Sequence, residues 1–260
     1  MIIKNELAVL TRSGSNYGIE FLENLLGKNI KPGIICVEKV LYKKRFKMAR
    51  FLSKKIGILD SIRYNLKFWI KPLLRTLTFG LAYSYPNYFK YSDKVIFVNN
   101  INSDLIVSVL NDKKISKIIL AQSGIIRRKI LSLPNKWIIN CHPGNIPYYR
   151  GVDCIKWALY NEDEIYVTLH LVDTVIDTGY IIEQFKVPIY KNDTIKTVEN
   201  RANAMCINQL VKSINLPDEI YKNAIKVDSS KGEQYYLMPN KILKQLKFNE
   251  DRIIDYLSIK

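Results

Sequence analysis

The residues of this chain best suited to chemistry are its two histidines and the amide and carboxylate near them. His142 and His170 are the only histidines among the 260 residues. His142 stands two positions after Asn140 in the run Asn-Cys-His-Pro-Gly, which follows a short apolar segment that predicts a buried strand. Side chains two apart on an extended chain point to the same side, so we expect Asn140 and His142 to face one point.

An amide and an imidazole directed at one point suit acyl transfer. The amide N–H donates to an oxygen that becomes negative, while the imidazole takes up and returns protons near neutral pH. Asp177 follows in an Asp-Thr-Gly run, and a carboxylate near His142 favours the protonated ring or orients a water. Asp177 also has an ordinary interpretation as a turn residue. His170, which points away from the apolar residues of its own strand, is interpreted mainly as a hydrogen-bonded structural residue.

The elements that position these residues form an α/β pattern. Short apolar runs alternate with helical periodicity, which predicts a Rossmann-like, doubly wound, mostly parallel sheet. Asn140 and His142 would emerge at its carboxyl edge, where open α/β proteins bind ligands. The predicted strands are 7–11, 33–37, 95–98, 117–121 and 137–140, with helices at 18–26 and 104–110.

After Asn140 the pattern changes to an antiparallel hairpin. Strands at 166–172 and 180–189 have no helix between them and are joined by a tight turn at Asp177, Thr178 and Gly179. A helix at 194–214 follows, and the remainder holds a strand at 235–237 and short helices. We therefore predict a catalytic domain at 1–214, with a basic helical insertion at 41–90, and a small C-terminal appendage at 215–260.

Basic charge is concentrated in one segment. The chain has 40 Lys and Arg against 24 Asp and Glu, a net charge of +16, and residues 41–90 hold twelve basic residues and one acidic residue, Asp60. The segment is broken by Pro72. It predicts amphipathic helices that cover the sheet with a solvated basic face, and contact with a membrane surface is the less favoured interpretation. The apolar residues at helical spacing are Ile62, Leu66, Trp69 and Ile70.

Several classes of protein do not fit the composition. The longest uncharged run falls short of the roughly 20 apolar residues that a spanning helix needs, and Lys4 and Glu6 interrupt any apolar leader. The four cysteines are scattered, with no paired spacing and no histidine cluster to complete a metal site. We expect reduced thiols, no metal and a cytoplasmic location.

The motifs together carry a resemblance to a known family. Residues 140–151 read Asn-Cys-His-Pro-Gly-Asn-Ile-Pro-Tyr-Tyr-Arg-Gly, and Thr-Leu-His and Ile-Asp-Thr-Gly follow at 168–170 and 176–179. This combination resembles the folate-dependent formyltransferases, whose core is like that of methionyl-tRNA formyltransferase. The resemblance implies that Asn140, His142 and Asp177 are catalytic and that N10-formyltetrahydrofolate is the donor. It also implies direct attack of an acceptor amine on the formyl carbon.

Further site residues follow from the same resemblance. The pterin ring would bind backbone groups and apolar side chains, and Gly124 permits its close approach. The residues implied for the folate are Gln122, Ser123, Gly124, Ile125, Val175 and Ile176. Contacts to the acceptor are expected from Asn145, Tyr149 and Arg150. A phosphate site is expected from Ser13, Ser15 and Asn16 before the first helix.

Three acceptors are compatible with the family. The length and the His-Pro-Gly form of the motif favour the bacterial enzymes that formylate a nucleotide-linked amino-deoxysugar, such as a 4-amino-4,6-dideoxyhexose, for O-antigen or lipopolysaccharide synthesis. Methionyl-tRNA and a purine precursor remain alternatives. A different class is an inactive formyltransferase-like module that binds through its basic helices, and it does not account for Asn140, His142 and Asp177. We predict a homodimer, with candidate interfaces around Trp69 and Leu73 and in the tail from Pro217.

Overall fold

The central feature of the computed structural model, which describes residues 2–39, 42–66 and 87–259, is an eight-stranded sheet. Its strands are β1 (Ile2–Arg12), β2 (Ile30–Glu38), β3 (Val95–Val98), β4 (Lys117–Ala121), β5 (Trp137–His142), β7 (Tyr166–Leu171), β8 (Tyr180–Lys186) and β9 (Ile225–Lys226). A second, two-stranded sheet holds β6 (Tyr149–Gly151) and β10 (Glu233–Tyr235).

The helices of the described residues cover both faces of the large sheet. They are α1 (Asn16–Gly27), α2 (Tyr42–Ile56), α3 (Asp104–Leu110), α4 (Arg128–Leu131), α5 (Cys154–Tyr160), α6 (Ile195–Ser213), α7 (Asp218–Lys222), α8 (Asn240–Phe248) and α9 (Glu250–Ser258), with a further helical stretch at residues 58–66. The prediction of an α/β fold with a mostly parallel sheet is confirmed.

The parallel half of the sheet explains the apolar runs of the sequence. The strand order is β3-β2-β1-β4-β5-β7-β8-β9, and every pair from β3 to β5 is parallel. Alternate residues of β1 point into two hydrophobic cores, one on each face of the sheet. Leu7 and Val9 pack with α1, α5 and α6 on one face. Ala8 and Leu10 pack with α3 and α4 on the other. A strand buried on both faces reads as a continuous apolar run, as it does here.

The other half of the sheet is antiparallel, as predicted. β7 pairs antiparallel with both β5 and β8, and its register sets His170 opposite Asn140 and Thr168 opposite His142. The predicted tight turn is wrong, because residues 172–179 form a longer loop between β7 and β8. Asp177 lies in this loop with a left-handed φ of 53°.

The C-terminal residues fold back onto the segment that follows β5. The strand predicted at 235–237 is wrong by two residues, because β10 spans Glu233–Tyr235 and pairs parallel with β6. The ring of Tyr235 stacks on that of Tyr149 at 5.1 Å between centroids, and the indole N–H of Trp157 donates to the carbonyl of Tyr236 at 2.8 Å. The sequence predicted neither β6 nor α5.

The basic segment differs from the prediction where the structure describes it. Ile62 is 48% exposed and Leu66 is 47% exposed, so the prediction that these two residues cover the sheet is wrong. Trp69, Ile70, Pro72 and Leu73 lie outside the described residues. Within the described ranges, no helix combines the length and the apolar character needed to cross a bilayer.

Candidate active site

The side chains predicted to do chemistry meet where β5 ends. β5 carries Asn140 and His142, β7 carries His170, and the loop from 172 to 179 carries Asp177. His142 is 4% exposed and His170 is 1% exposed. The structure thus brings residues 37 positions apart in the chain, from Asn140 to Asp177, into one group.

His142 lies between two acceptors. Its Nδ1 is 3.4 Å from Oδ2 of Asp177, and its Nε2 is 2.9 Å from the carbonyl oxygen of Tyr149. The contact with Asp177 is an ion pair when the ring is protonated, and the ring can donate from Nε2 to the carbonyl of Tyr149. The surroundings of His142 therefore suit a ring that gains a proton during a reaction.

The position of the Asp177 carboxylate is fixed by backbone groups. The N–H of Gly151 donates to Oδ2 at 2.9 Å, and the loop is tied by the hydroxyl of Thr178, which donates to the carbonyl of Val175 at 3.1 Å. Gly179 packs so closely that an added Cβ would lie 1.7 Å from the carbonyl oxygen of Leu171. Only glycine fits there, which explains the Asp-Thr-Gly run in structural terms.

Asn140 is oriented by the second histidine. Nδ1 of His170 lies 3.1 Å from the carbonyl oxygen of Leu171, and Nε2 lies 3.2 Å from Nδ2 of Asn140. Burial lowers the pKa of His170 to about 4, so the ring is neutral near pH 7. A neutral ring that donates from Nδ1 accepts at Nε2, which directs one amide N–H of Asn140 to His170 and leaves the second to donate elsewhere.

His170 forms the hydrogen bonds expected of a structural residue and also lies near Asp177. Its Nε2 is also 3.8 Å from Oδ1 of Asp177, too far for a hydrogen bond but within the same group. The sequence of β7 alternates between apolar and polar residues, and Thr168 and His170 lie on the side opposite the apolar ones. This alternation indicated that the two polar side chains share one face of the strand. What the sequence lacked was the register with β5, which sets His170 opposite Asn140.

A loop held by polar contacts follows His142. The hydroxyl of Thr168 donates to the carbonyl of Gly144 at 2.7 Å, and the amide of Gln184 donates to the carbonyl of Ile146 at 2.8 Å. The same amide donates to Oδ1 of Asn145 at 2.9 Å. Sequence reasoning assigned no role to Thr168 or Gln184, which support the site from β7 and β8. The peptide bond between Ile146 and Pro147 is cis.

Tyr149 and Arg150 are engaged within the protein. The hydroxyl of Tyr149 bonds to the carboxylate of Asp163 and accepts from the amide of Asn161. The guanidinium of Arg150, which is 7% exposed, donates to backbone carbonyls at distances of 2.9 to 3.3 Å. Those carbonyls belong to Pro147, Ser229 and Gly232. The predicted contacts of Asn145, Tyr149 and Arg150 to an acceptor stay predictions.

The loop predicted to hold the folate has a tightly specified backbone. Gln122 adopts a left-handed φ of 58°, and the hydroxyl of Ser15 donates to its Oε1 at 2.6 Å. A Cβ added to Gly124 would lie 2.3 Å from Oε2 of Glu38, so a larger residue there would displace the Glu38 carboxylate. The apolar side chains predicted to contact the folate are exposed: Ile125 is 67%, Val175 55% and Ile176 37% exposed.

An open cleft of about 710 Å³ lies at this end of the sheet. Ile125 and Ile126 line it together with Arg127, Arg128 and Thr174, the last of which precedes Val175 in the loop that carries Asp177. The lining therefore combines apolar side chains with two guanidinium groups. Such a surface suits a flat apolar ring with an anionic extension.

Residues 98–214 match the family model described as formyl transferase. The match contains Asn140, His142, His170 and Asp177, which the structure brings together. This part of the chain, 117 of its 260 residues, is a formyl transferase domain.

Curated relatives match this chain over part of their length. The methionyl-tRNA formyltransferase of Desulforamulus reducens is 35% identical over 103 residues, which are 39% of this chain and 32% of that protein. The chain spans between about a third and a half of the length of the first curated relatives it matches.

Two solved structures share the fold of this chain. A sugar N-formyltransferase from Shewanella sp FDAARGOS_354 is 19% identical, with a TM-score of 0.54 over 89% of this chain and 77% of that one. The N-formyltransferase of Helicobacter canadensis, solved with folinic acid and dTDP-3-aminofucose, is also 19% identical. Its TM-score is 0.54 over 90% of this chain and 71% of that one. At these identities the likeness shows the formyltransferase fold.

The phosphate site predicted before α1 lies outside the region that matches the family model. Ser15 is the N-cap of α1, and its hydroxyl oxygen accepts from the N–H of Gly18 at 2.8 Å. The N–H of Ser13 donates to the carbonyl of Glu38 at 2.9 Å. The expected role of Ser13, Ser15 and Asn16 stays a prediction.

Proposed function

We propose that this formyltransferase moves the formyl group of N10-formyltetrahydrofolate to the amine of a nucleotide-linked amino-deoxysugar, such as a 4-amino-4,6-dideoxyhexose. The observation that carries the proposal is the convergence of Asn140, His142 and Asp177, with His170 orienting the amide. An amide donor beside an imidazole and a carboxylate is what formyl transfer to an amine requires.

The residues of this chain act in a defined order in the proposed reaction. The acceptor nitrogen attacks the formyl carbon, a C–N bond forms, and the carbonyl oxygen becomes negative. The second amide N–H of Asn140 stabilises this oxygen. His142 takes the proton released by the amine and becomes a cation that donates to Asp177 and to the carbonyl of Tyr149. The proton then passes to N10 of the folate as its bond to the carbon breaks, which releases tetrahydrofolate.

The folate is proposed to bind through Gln122, Ser123, Gly124, Ile125, Val175 and Ile176. The exposed apolar side chains of Ile125, Val175 and Ile176 suit the faces of a pterin ring, and backbone groups of the two loops suit its polar edge. In the cleft beside Thr174, Arg127 and Arg128 offer charge to the carboxylates of a glutamyl tail.

The choice of a sugar acceptor is supported by fold and charge. The Shewanella structure is titled a sugar N-formyltransferase, and the Helicobacter canadensis structure contains dTDP-3-aminofucose. A net charge of +16 attracts an acceptor that carries a diphosphate. Ser13, Ser15, Asn16, Asn145, Tyr149 and Arg150 remain the predicted acceptor contacts. The product would serve surface polysaccharide or O-antigen synthesis, and a cytoplasmic homodimer is part of the same proposal.

Methionyl-tRNA is the second candidate acceptor. The curated relatives at 30 to 35% identity are methionyl-tRNA formyltransferases, and the positive charge of the chain also favours a nucleic acid. The two acceptors differ in the salt dependence of their binding. Only the tRNA is a polyanion, so only its binding falls steeply as the salt concentration rises.

The decisive experiment offers both kinds of acceptor to the full chain. The protein is incubated with N10-formyltetrahydrofolate and a panel of nucleotide-linked 4-amino and 3-amino dideoxyhexoses, and in parallel with charged initiator tRNA. Release of tetrahydrofolate is followed together with the mass of the acceptor. We expect formylation of at least one sugar nucleotide and its loss in Asn140→Ala. Turnover on the tRNA and on no sugar would overturn the proposal.

A further inference from the structure

We propose that the helical segment of residues 49–66 docks this protein on an anionic membrane surface. The proposal concerns a part of the molecule that the formyl transfer site does not use. It rests on the direction of one apolar helix face, on the basic residues beside that face, and on a cleft where the two meet.

The helix at residues 58–66 presents its apolar side outward. Ile58 is 68% exposed, Leu59 is 73%, Ile62 is 48% and Leu66 is 47%. Residues at this spacing share one side of a helix. A helix that covers a core does the opposite, because burying such side chains in the protein removes apolar surface from water.

Polar side chains occupy the inward side of the same helix. Ser61 is 3% exposed and Asn65 is 2% exposed. The hydroxyl of Ser61 donates to the carbonyl of Ala49 at 2.8 Å, which ties the helix to α2, and the amide of Asn65 donates to the carbonyl of Ser61 at 2.7 Å. The buried polar groups of this helix are therefore hydrogen-bonded. Because the polar side faces inward, the apolar side faces outward.

Basic residues are frequent in the part of the sequence that carries the outward apolar face. Residues 42–66 contain eight Lys and Arg and one acidic residue, Asp60. Lys54 and Arg63 are exposed, and the ring of Phe51 on α2, whose centroid lies 6.0 Å from that of Tyr236, is 46% exposed. Exposed apolar and aromatic side chains beside a basic face are the signature of a helix that lies in a membrane interface.

An open cleft connects the apolar face to further cations. Its volume is about 490 Å³, and its lining includes Ile58, Leu59, Arg63, Lys241 and Lys244. The last two residues come from α8, so the positive charge is shared between two separate parts of the chain. The carboxylate of Asp60, which also lines the cleft, accepts from the N–H of Asn240 at 2.9 Å and lies 3.8 Å from the guanidinium of Arg63. The cleft therefore offers cations to an anionic headgroup and apolar side chains to the acyl region beneath it.

The positive charge of this surface favours an anionic membrane over a second copy of the chain as its binding partner. A second copy of this chain would bring the same basic residues against themselves, and like charges at an interface oppose association. An anionic bilayer instead meets the Lys and Arg side chains with phosphate and the apolar face with hydrocarbon.

Sedimentation with lipid vesicles tests the proposal without any enzymatic readout. Vesicles of phosphatidylcholine alone are compared with vesicles of phosphatidylcholine and phosphatidylglycerol, at low and at raised salt. We expect binding only to the anionic vesicles, with weakening as salt rises. Lys54→Glu combined with Arg63→Glu should lower the partition coefficient by at least about tenfold, because each basic residue near the surface contributes to attraction. Ile58→Ser combined with Leu59→Ser should also lower it.

Matched variants separate docking from a general loss of charge or fold. Lys113→Glu combined with Lys114→Glu makes the same charge change at exposed residues elsewhere, and Leu105→Ser removes an apolar side chain that is 55% exposed. Both should bind vesicles as the unmodified protein does, and all variants should keep its thermal unfolding midpoint. Absence of binding to anionic vesicles, equal loss in the matched variants, or a dimer in solution scattering that Ile58→Ser and Leu59→Ser abolish would each overturn the proposal. None of these outcomes depends on the acceptor of the formyl group.

Discussion

Asn140 and His170 lie opposite each other on the antiparallel strands β5 and β7, and 3.2 Å separates Nδ2 of the amide from Nε2 of the ring. Because the neutral ring accepts one amide N–H, the amide cannot rotate without losing a buried hydrogen bond. The second N–H is thereby held in one direction before any substrate binds. Preorganised donors of this kind stabilise developing negative charge most effectively.

Asn140→Ala should abolish most of the formyl transfer. Loss of one oxyanion donor costs about 10²- to 10³-fold in turnover. Asn140→Asp is the matched variant, because it keeps the shape of the side chain but replaces the N–H donor with an acceptor, and it should lose as much. Steady-state release of tetrahydrofolate measures both. Turnover within tenfold of the unmodified protein in Asn140→Ala would exclude the amide from the reaction.

His170→Leu should lower kcat while KM changes little. The substitution removes the acceptor that orients Asn140, and one hydrogen bond contributes about 0.5 to 1.5 kcal/mol, which corresponds to roughly 2- to 10-fold in rate. His170→Gln supplies an amide oxygen as acceptor and should restore part of kcat. A rise in KM with unchanged kcat, or no difference between the two variants, would contradict the positioning role.

Gly144→Ala should disturb His142 directly. An added Cβ would lie 2.5 Å from Nε2 of His142 and 2.6 Å from the carbonyl oxygen of Tyr149, between the two partners of one hydrogen bond. Displacement of a reacting group by about 1 Å can cost about 10²-fold in turnover. Gly27→Ala is the control, because no atom lies within 4 Å of an added Cβ there. It should leave activity unchanged.

Asp193→Asn should destabilise the protein at neutral pH. Hydrogen bonds from Arg201 lower the pKa of the Asp193 carboxyl from 3.8 to about 2, and the N–H of Tyr190 and the hydroxyl of Thr197 also donate to it. Hydrogen bonds to a charged group contribute about 1.5 to 3 kcal/mol, so a loss of this order is expected in the free energy of unfolding.

The pH dependence of this effect has a definite sign. Since the folded pKa is depressed, the stabilisation is fully present above pH 3.8 and is lost as pH falls toward about 2. Asp193→Asn should therefore differ from the unmodified protein at neutral pH and converge with it in acid, as measured by urea unfolding. Asp104→Asn, which removes an exposed ion pair with Lys129, should change little at any pH.

The parallel half of the fold could be predicted from the sequence because its strands are buried on both faces. β3, β4 and α3 begin and end where the apolar runs do. Leu7 and Val9 of β1 are buried in one hydrophobic core, and Ala8 and Leu10 are buried in the other. The strand can therefore be recognised from its continuous apolar run without knowing which strands pair with it.

The parts that escaped prediction depend on pairing across the chain. β6 and β10 have three residues each and exist because Tyr149 and Tyr235 bring them together. The loop at Asp177 reads as a tight turn, since Asp followed by Gly is common turn chemistry. The orientation of Asn140 by His170 depends on a strand register that neither segment specifies alone, although Asn140, His142 and Asp177 were recognised from their motif.

Gly151 joins two features that are far apart in the chain. Its N–H donates to the carboxylate of Asp177, while its neighbours hold β10: the N–H of Val152 donates to the carbonyl of Tyr235, and an added Cβ at Gly151 would lie 2.3 Å from that oxygen. If β10 detached from β6, the peptide that anchors Asp177 would lose its support. Local opening of the C-terminal strand would thus switch off proton transfer at His142, and deuterium exchange at the Gly151 amide would report how often this happens.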